Sequence, residues 1–245
     1  MTDATRRERL RAETERDIRR QARALLAAQG RDAVTLRAIA RELGITAPAL
    51  YRYYDSREDL LARLCDDICV DLDGELSKAL EPVVSEDITV HVFTVCKAFR
   101  RWALDHPNEF ALVFASTDNR RADMLAGGRT DDQFGRVFLE VAAKLVASHP
   151  FRKPVPPDVP ETLRNDLTAF QKVLINTVVE RGVVVDETVL HLGAIYHILQ
   201  SWVRLYGHVA LEVFGAFPFA VSNPEPLFEL MLTNLMGEMG VDPRP

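Results

Sequence analysis

Lysine is absent from the first sixty residues of this 245-residue chain, although the same segment carries thirteen arginines. Ten acidic residues reduce its formal charge to +3, whereas the remaining residues hold seventeen basic and twenty-six acidic side chains, a charge of −9. The overall charge of −6 disfavours contact with nucleic acid. The uneven distribution, however, indicates a basic, DNA-facing module carried by an acidic body that does not itself touch phosphate.

Cysteine is scarce as well, with three residues in the whole chain: Cys65, Cys69 and Cys96. This odd number argues against a disulfide framework and fits a reducing cytoplasm, where we expect the protein to act. A redox or metal sensor built from the three thiols is one interpretation, and burial as small apolar side chains is the favoured one. No run approaches eighteen consecutive apolar residues, so no membrane-spanning helix is predicted.

Common catalytic motifs are missing too. The chain has no glycine-rich nucleotide loop, no HExxH and no GxSxG, the patterns that mark nucleotide-dependent enzymes, zinc proteases and serine hydrolases. We therefore expect neither an enzyme nor a resident cofactor or metal. A DNA-binding protein remains the stronger interpretation.

Strand-like alternation is rare, whereas apolar residues recur every three or four positions along most of the chain, which predicts an all-α fold. Five prolines between residues 149 and 160 predict an extended connection inside the larger domain. Caps, glycines and prolines predict helices at 8–29, 36–43, from 47 onward, 56–81, 86–105, 107–116, 131–148, 161–181, 187–216 and 226–238.

The segment from Thr35 to Tyr54 has the spacing of a helix-turn-helix. Thr35 and Thr46 stand at N-cap positions, Ala40 is small enough for a second helix to cross closely, and Gly44 accepts a left-handed turn. The apolar residues are spaced to form a small core beneath both helices: Leu36, Ile39, Leu43, Ile45 and Leu50. The second helix would enter the major groove.

The string Gly-Ile-Thr-Ala-Pro-Ala-Leu-Tyr-Arg-Tyr-Tyr-Asp-Ser-Arg-Glu-Asp-Leu-Leu, residues 44–61, closely resembles the recognition helix and following helix of TetR-family repressors. The matching positions are Gly44, Leu50, Tyr51, Tyr54, Ser56, Arg57 and Leu60. Two positions depart from the family pattern, because Ala47 stands where Lys is frequent and Pro48 where Gly is frequent. The first departure removes a phosphate contact and leaves a more apolar recognition surface.

The resemblance, combined with side-chain chemistry, implies a set of DNA-binding residues: Thr35, Arg37, Thr46, Ala47, Pro48, Ala49, Tyr51, Arg52, Tyr54 and Arg57. Phosphate contacts are expected from Thr35, Tyr51, Tyr54 and Arg57, with Tyr54 partly structural, and such contacts position the protein. Contacts with base edges, which read the sequence, are expected from Thr46, Ala47, Ala49 and Arg52. Threonine and alanine can contact a thymine methyl, and Arg52 can bind guanine, with a phosphate contact as its alternative.

Two segments, 99–114 and 202–215, are similar to a C-terminal domain class of actinobacterial-type TetR regulators with a Trp-x-x-Leu-His-Gly signature, where this chain has Tyr206 for the histidine. The class implies a helical body that binds a small molecule and forms a dimer. Aromatic residues are the candidate effector contacts, although aromatic residues at helical spacing more often belong to a core. The first candidates are Phe99, Trp102, Phe114, Phe138, Trp202 and Tyr206. Next come Phe110, Phe134 and Tyr196, and His91 and His197 are weaker candidates.

The expected organisation is a helix-turn-helix domain at 1–60 and a helical effector and dimerisation domain at 61–245. One recognition helix reads few base pairs, so a homodimer on palindromic double-stranded DNA is predicted, with its interface on the helices at 187–216 and 226–238. The function implied is a transcriptional regulator, most readily a repressor released by a small molecule of unknown identity. An architectural DNA binder without an effector is the alternative.

Overall fold

The computed structural model describes residues 3–115, 136–149, 155–156, 158–180, 182 and 184–241. Within these ranges every regular element is a helix, as the sequence predicts, and a short 3-10 turn, Arg31–Ala33, follows the first helix. The α-helices are α1 (Asp3–Gln29), α2 (Leu36–Glu42), α3 (Ala47–Leu50), α4 (Arg57–Leu80), α5 (Ile88–Asp105), α6 (Pro107–Phe114), α7 (Arg136–Ser148), α8 (Glu161–Glu180), α9 (Leu192–Val213) and α10 (Glu225–Glu238).

Helix ends follow the local signals in the sequence. Helix α1 ends before Gly30, whose φ of 79° is in the left-handed region that glycine adopts without strain. Thr35 caps α2, since its hydroxyl oxygen accepts a hydrogen bond from the Ala38 backbone N–H at 3.1 Å. Helix α9 begins at Leu192, later than the predicted residue 187, because His191 occupies the N-cap position and accepts from the Ala194 backbone N–H.

The chain forms two compact units. The head unit comprises Met1–Asp71 and His106–Thr117, and the body unit comprises Leu72–Asp105 and Asp118–Pro245. The predicted division at residue 60 follows chain order alone, whereas helix α6 returns to the head unit and α4 contributes residues to both units. The assignment of DNA binding and effector binding to two separate domains stays a prediction.

Ion pairs hold α1, α4 and α6 together inside the head unit. Arg19 Nε lies 2.6 Å from an oxygen of Asp67. One turn further along α1, Arg23 donates from Nε and Nη2 to both oxygens of Glu109, at 2.8 and 3.0 Å, and from Nη1 to Asp71. The hydrogen bond to Glu109 is the main reason that the pKa of Arg23 is raised. Because the Glu109 carboxylate is buried, this bidentate pairing supplies the partner that a buried charge requires.

Apolar side chains from the same helices fill the core of the head unit. The α1 face predicted from the sequence is buried, and it is joined by fully buried residues of α2, α3, α4 and α6: Ile18, Ala22, Leu25 and Leu26 with Ile39, Leu50, Leu60, Leu64 and Phe110. The predicted core position of Ile45 is wrong, since this side chain is 37% exposed. Leu43 is half-buried. Helix α3 spans only four residues, so that it contributes a single fully buried side chain, Leu50.

The body unit is a bundle in which α5 packs against α7 and α9, and α8 packs against α7 and α9. Helix α10 packs on α9. Arg100 of α5 donates to both carboxylate oxygens of Glu212 on α9, at 2.7 and 2.6 Å, and its guanidinium lies over the Phe228 ring of α10. Arg164 of α8 donates to the carbonyls of Pro156 and Val159, which ties the described part of the proline-rich connection to the bundle.

The buried carboxylate of Glu109 allows a test of these ion pairs. Glu109→Gln preserves the shape of the side chain but removes its charge, and we expect the free energy of unfolding to fall by about 1–3 kcal/mol. The matched control is Asp17→Asn, which breaks an exposed pair with Arg20 on the surface of α1 and should cost about 0–1 kcal/mol. Urea unfolding followed by circular dichroism measures both. Equal losses would show that burial adds nothing to the Arg23–Glu109 pair.

Candidate nucleic-acid interface and effector site

The turn between α2 and α3 has the geometry that the sequence predicts. Gly44 has a φ of 66°, and its backbone N–H donates to the Arg41 carbonyl at 3.2 Å. The next N–H, that of Ile45, donates to the carbonyl of Ala40 at 3.0 Å. Ala40 is buried. These bonds hold α3 in a defined direction relative to α2, which is the requirement for presenting a recognition helix.

Most of the predicted DNA-binding residues lie in α3 or next to its ends. Thr46, Pro48 and Arg52 are exposed, and Tyr51 is 59% exposed. Ala47 and Ala49 are half-buried. Thr46 occupies the N-cap position, but its side chain makes no capping hydrogen bond, so the hydroxyl is not used to terminate the helix. The structure thus brings these six predicted residues onto one short surface, which we call the recognition surface (Thr46–Arg52).

Two further predicted residues, Thr35 and Arg37, lie at the start of α2. Arg37 is exposed. Thr35 accepts the capping hydrogen bond from Ala38 with its oxygen, which leaves the hydroxyl proton able to donate to a phosphate oxygen. Ile45, one residue before the recognition surface, was expected in the core and is instead exposed. An apolar residue beside a turn glycine is an ordinary core position, so no feature of the sequence distinguishes it.

Tyr54 has a structural position. Its side chain is only 3% exposed, and its phenol oxygen accepts a hydrogen bond from Nη1 of Arg19 at 3.4 Å. Burial raises the pKa of the phenol, so Tyr54 remains neutral. A phosphate contact by this phenol would require the head core to open, so of the two roles expected for Tyr54 the structural one fits the geometry.

Arg57 makes internal hydrogen bonds that the sequence did not indicate. Its Nε donates to the carbonyl of Val34 and its Nη2 to the carbonyl of Arg31, both at 2.6 Å. These bonds fasten the start of α4 to the 3-10 turn and the residues leading into α2. The planar guanidinium is the group that can bridge two carbonyls in this way. The geometry therefore supports a positioning role for Arg57 beside the phosphate contact expected from its place in the sequence.

Four of the candidate effector residues meet in the body unit. Phe138 and Trp202 lie 5.3 and 5.8 Å from Phe99, measured between ring centroids. Phe138 and Trp202 are 5.6 Å apart, and Tyr206 stacks on Trp202 at 6.2 Å. We call these four residues the aromatic cluster. Phe99 is fully buried, whereas the other three are half-buried, so the cluster has both a core side and a more accessible side.

The remaining effector candidates are placed differently. Trp102 is buried on α5. Phe114 belongs to the head unit, where it stacks on Phe110 with ring centroids 4.8 Å apart. Tyr196 contacts the His197 ring, and Phe134 lies outside the described residues. Phe114 is therefore assigned to the head unit, whereas the aromatic cluster belongs to the body unit.

Two of the three cysteines are buried, and the third, Cys65, is half-buried. Burial raises the pKa of the Cys96 thiol to about 12, so it is neutral and weakly nucleophilic at physiological pH. Cys69 is also buried. Among the described residues, no three His, Cys, Asp or Glu side chains are grouped to hold a metal ion. None of the helices in the described ranges combines the length and apolar character needed to cross a membrane.

Two protein-family models match the chain. Residues 18–64 match a model described as bacterial regulatory proteins of the tetR family, and residues 92–235 match one described as the tetracyclin repressor-like C-terminal domain. Among curated proteins, the HTH-type transcriptional regulators Mb1846 of Mycobacterium bovis and Rv1816 of Mycobacterium tuberculosis are each 30% identical over 192 residues. These alignments cover 77% of this chain and 75% of each relative.

Solved structures show the same architecture. The candidate regulatory protein SCO4313 superposes with a TM-score of 0.59 and 27% identity, over 94% of this chain and 98% of its own. A protein of unknown function from Rhodococcus sp. RHA1 superposes with a TM-score of 0.53 and 16% identity, over 93% and 95% of the two chains. The second likeness concerns the fold alone.

The two roles of Arg57 are distinguished by salt dependence. Arg57→Ala should lower the melting temperature of the protein and its affinity for a nonspecific DNA duplex, because the start of α2 loses two anchors. The slope of log affinity against log salt should stay unchanged. Arg37→Ala, at an exposed arginine of the same unit, is the control, and it should reduce the slope by about 0.9 if Arg37 contacts one phosphate. An unchanged melting temperature with a smaller slope for Arg57→Ala would contradict the positioning role.

Proposed function

Because the chain belongs to the TetR family of transcriptional regulators, we propose that it is a homodimeric repressor that leaves its palindromic operator when a small molecule binds the body unit. Members of this family are DNA-binding regulators and not enzymes, in agreement with the missing catalytic motifs. The recognition surface carries the proposal, since it exposes Thr46, Pro48, Tyr51 and Arg52 on a firmly held turn. The protein would act in the cytoplasm, where the DNA of a bacterium lies.

The proposed DNA contacts are made by the polar groups that remain exposed in the head unit. Arg19 and Arg23 are engaged in internal ion pairs, whereas Arg37 and Arg52 are exposed. Arg37 and Tyr51 would bind phosphates, together with the hydroxyl of Thr35. Arg52 would read a guanine. Ala47 and Ala49, half-buried on α3, would allow the helix to approach the base edges closely.

The proposed dimer face lies on α9 and α10. Five large apolar side chains of these helices and of the C-cap residue of α9, Phe214, are exposed in the single chain: Val203, Leu211, Phe214, Leu227 and Leu230. We propose that these side chains form one interaction site, at which a two-fold axis would pair the helices of two copies into a four-helix bundle. Not every apolar residue of the predicted interface segments, 187–216 and 226–238, is available for a partner, because several are buried in the single chain: Leu190, Ala194, Ile198 and Leu235.

The aromatic cluster is the proposed effector site. Its four side chains carry no charge, and its half-buried members Trp202 and Tyr206 each add one hydrogen-bonding group. Such a surface fits a neutral, mostly apolar molecule with a polar atom near the indole N–H or the phenol. Trp102, which is buried on α5, and Phe114 stay candidate effector residues from the sequence.

The proposed switch operates through α4, which contributes residues to both units. Effector binding would alter the setting of α4 and with it the spacing of the two recognition surfaces. They would then no longer match half-sites about 34–36 Å apart. Thermodynamic linkage requires operator DNA to weaken effector binding by the same factor.

Selection of bound fragments from genomic DNA by the purified protein tests the proposed function. We expect one palindromic sequence to be enriched, and the genes beside it to indicate the class of effector. Uniform recovery of all fragments would favour the alternative of an architectural DNA binder that has no sequence preference.

Two substitutions on the recognition surface separate positioning from base reading. Tyr51→Ala should weaken binding to the selected operator and to each of its single-base-pair variants by the same factor. Arg52→Ala should relax the preference at one base pair, at which discrimination falls by about 1–3 kcal/mol. Binding titrations with the operator and its point variants measure both effects. The same uniform loss for the two proteins would contradict base reading by Arg52.

The dimer face is tested by placing a charge in it. Leu230 is 60% exposed, so Leu230→Glu should leave the protomer folded but convert the dimer into a monomer, because two carboxylates would be buried at the axis. Val84→Glu is the control, at a fully exposed valine of the body unit outside the dimer face. Sedimentation velocity at micromolar concentration gives the outcome. A dimer that tolerates glutamate at residue 230 would rule out this face.

A further inference from the structure

The recognition surface is unusual in the polar groups that it lacks. From Ile45 to Arg52 the chain contains no asparagine, glutamine, lysine or acidic residue. Asparagine and glutamine are the side chains that pair with adenine, and acidic side chains accept hydrogen bonds from cytosine. Arg52 alone carries a group suited to a bidentate hydrogen bond with a base edge. Any base preference of this segment beyond that of Arg52 therefore needs another kind of contact.

The residues that follow the turn at Gly44 expose apolar groups. Ile45 lies outside the core, and Thr46 and Pro48 are exposed beside it. We call these three residues the apolar patch. Thr46 is not held by a capping hydrogen bond, so its γ-methyl is free to face the same side as its neighbours. Without the exposure of Ile45, the patch would consist of one methyl group and one proline ring.

The major groove offers one apolar group that distinguishes base pairs, the C5-methyl of thymine. The residues of the patch suit this group because they are stiff. Threonine and isoleucine are β-branched, and the proline ring has a fixed φ. Little side-chain entropy is lost when such groups are buried against a methyl, so each contact retains most of its hydrophobic free energy.

We propose that the operator half-site is read through pyrimidine C5-methyl groups, which bind to the apolar patch formed by Ile45, Thr46 and Pro48, while Arg52 reads one guanine. This inference rests on the proposed function, since it requires the head unit to bind DNA through α3. Its distinct consequence is that the patch recognises the methyl group and not the thymine base. A 5-methylcytosine therefore replaces thymine at the contacted positions better than cytosine does.

Thymine-to-deoxyuridine substitution tests the inference, because it removes the C5-methyl and leaves every hydrogen-bonding group in place. In the operator obtained by genomic selection, each thymine of a half-site is replaced in turn and binding is titrated. We expect a loss of about fourfold at each contacted thymine and none at thymines outside the half-site. At the same positions, 5-methylcytosine should bind more tightly than cytosine.

Protein variants test whether the apolar patch is the surface that contacts the C5-methyl groups. Pro48→Ala keeps a good helix former in α3, and Ile45→Ala removes the second apolar group. Each substitution should bring the ratio of the affinities for the thymine operator and the deoxyuridine operator towards one at the base pair that the substituted residue contacts. Arg52→Ala is the matched control, because it should weaken binding yet preserve the deoxyuridine effect. Melting temperatures confirm that each variant is folded, and Pro48→Ala, at an exposed residue, keeps the test decisive if Ile45→Ala is unstable.

The outcomes separate this inference from the function on which it rests. If one palindrome is selected but deoxyuridine binds as tightly as thymine at every position, the methyl-reading patch is refuted and the regulator remains. An equal deoxyuridine effect in the wild type, Pro48→Ala and Ile45→Ala would also refute the patch. If no common sequence is selected, the proposed function itself fails, and the inference fails with it.

Discussion

The guanidinium of Arg23 is the point at which three helices of the head unit meet. It reaches from α1 to Glu109 on α6 and to Asp71 on α4. Because the Glu109 carboxylate is buried, the pairing is obligatory, as an unpartnered charge there would cost far more than the pair gains. This requirement brings α6 into the head unit and sets α1 against α4. Helix α2 packs on α1 and helix α3 packs on α2, so the helix-turn-helix is built on that frame.

The arginines of the head serve two different purposes. Arg19, Arg23 and Arg57 are engaged with carboxylates, a phenol or backbone carbonyls. Arg37 and Arg52 are exposed. The formal charge of the first sixty residues therefore overstates the charge that faces DNA. In the proposed regulator, a recognition surface with few charges and several apolar groups would depend more on sequence-dependent contacts than on salt-sensitive phosphate contacts.

Helix α9 combines several roles in the body unit. Trp202 and Tyr206, one turn apart, belong to the aromatic cluster, while Val203 and Leu211 are exposed on the proposed dimer face. Glu212 pairs with Arg100 of α5. A helix with apolar residues on more than one face is expected to be covered on more than one side. In the proposed regulator, effector binding and dimerisation therefore act on the same rigid element.

Local signals determined much of this protein from its sequence alone. Helical periodicity, the cap at Thr35 and the glycine turn at Gly44 specify the all-α fold, most helix ends and the family, because each depends on residues close together in the chain. Tertiary structure decided the exposure of Ile45, the internal bonds of Arg57 and the return of α6 to the head unit. Arg23 and Glu109 are 86 residues apart. Spacing shows which residues share a helix face, but only the packing of distant helices decides whether that face is covered.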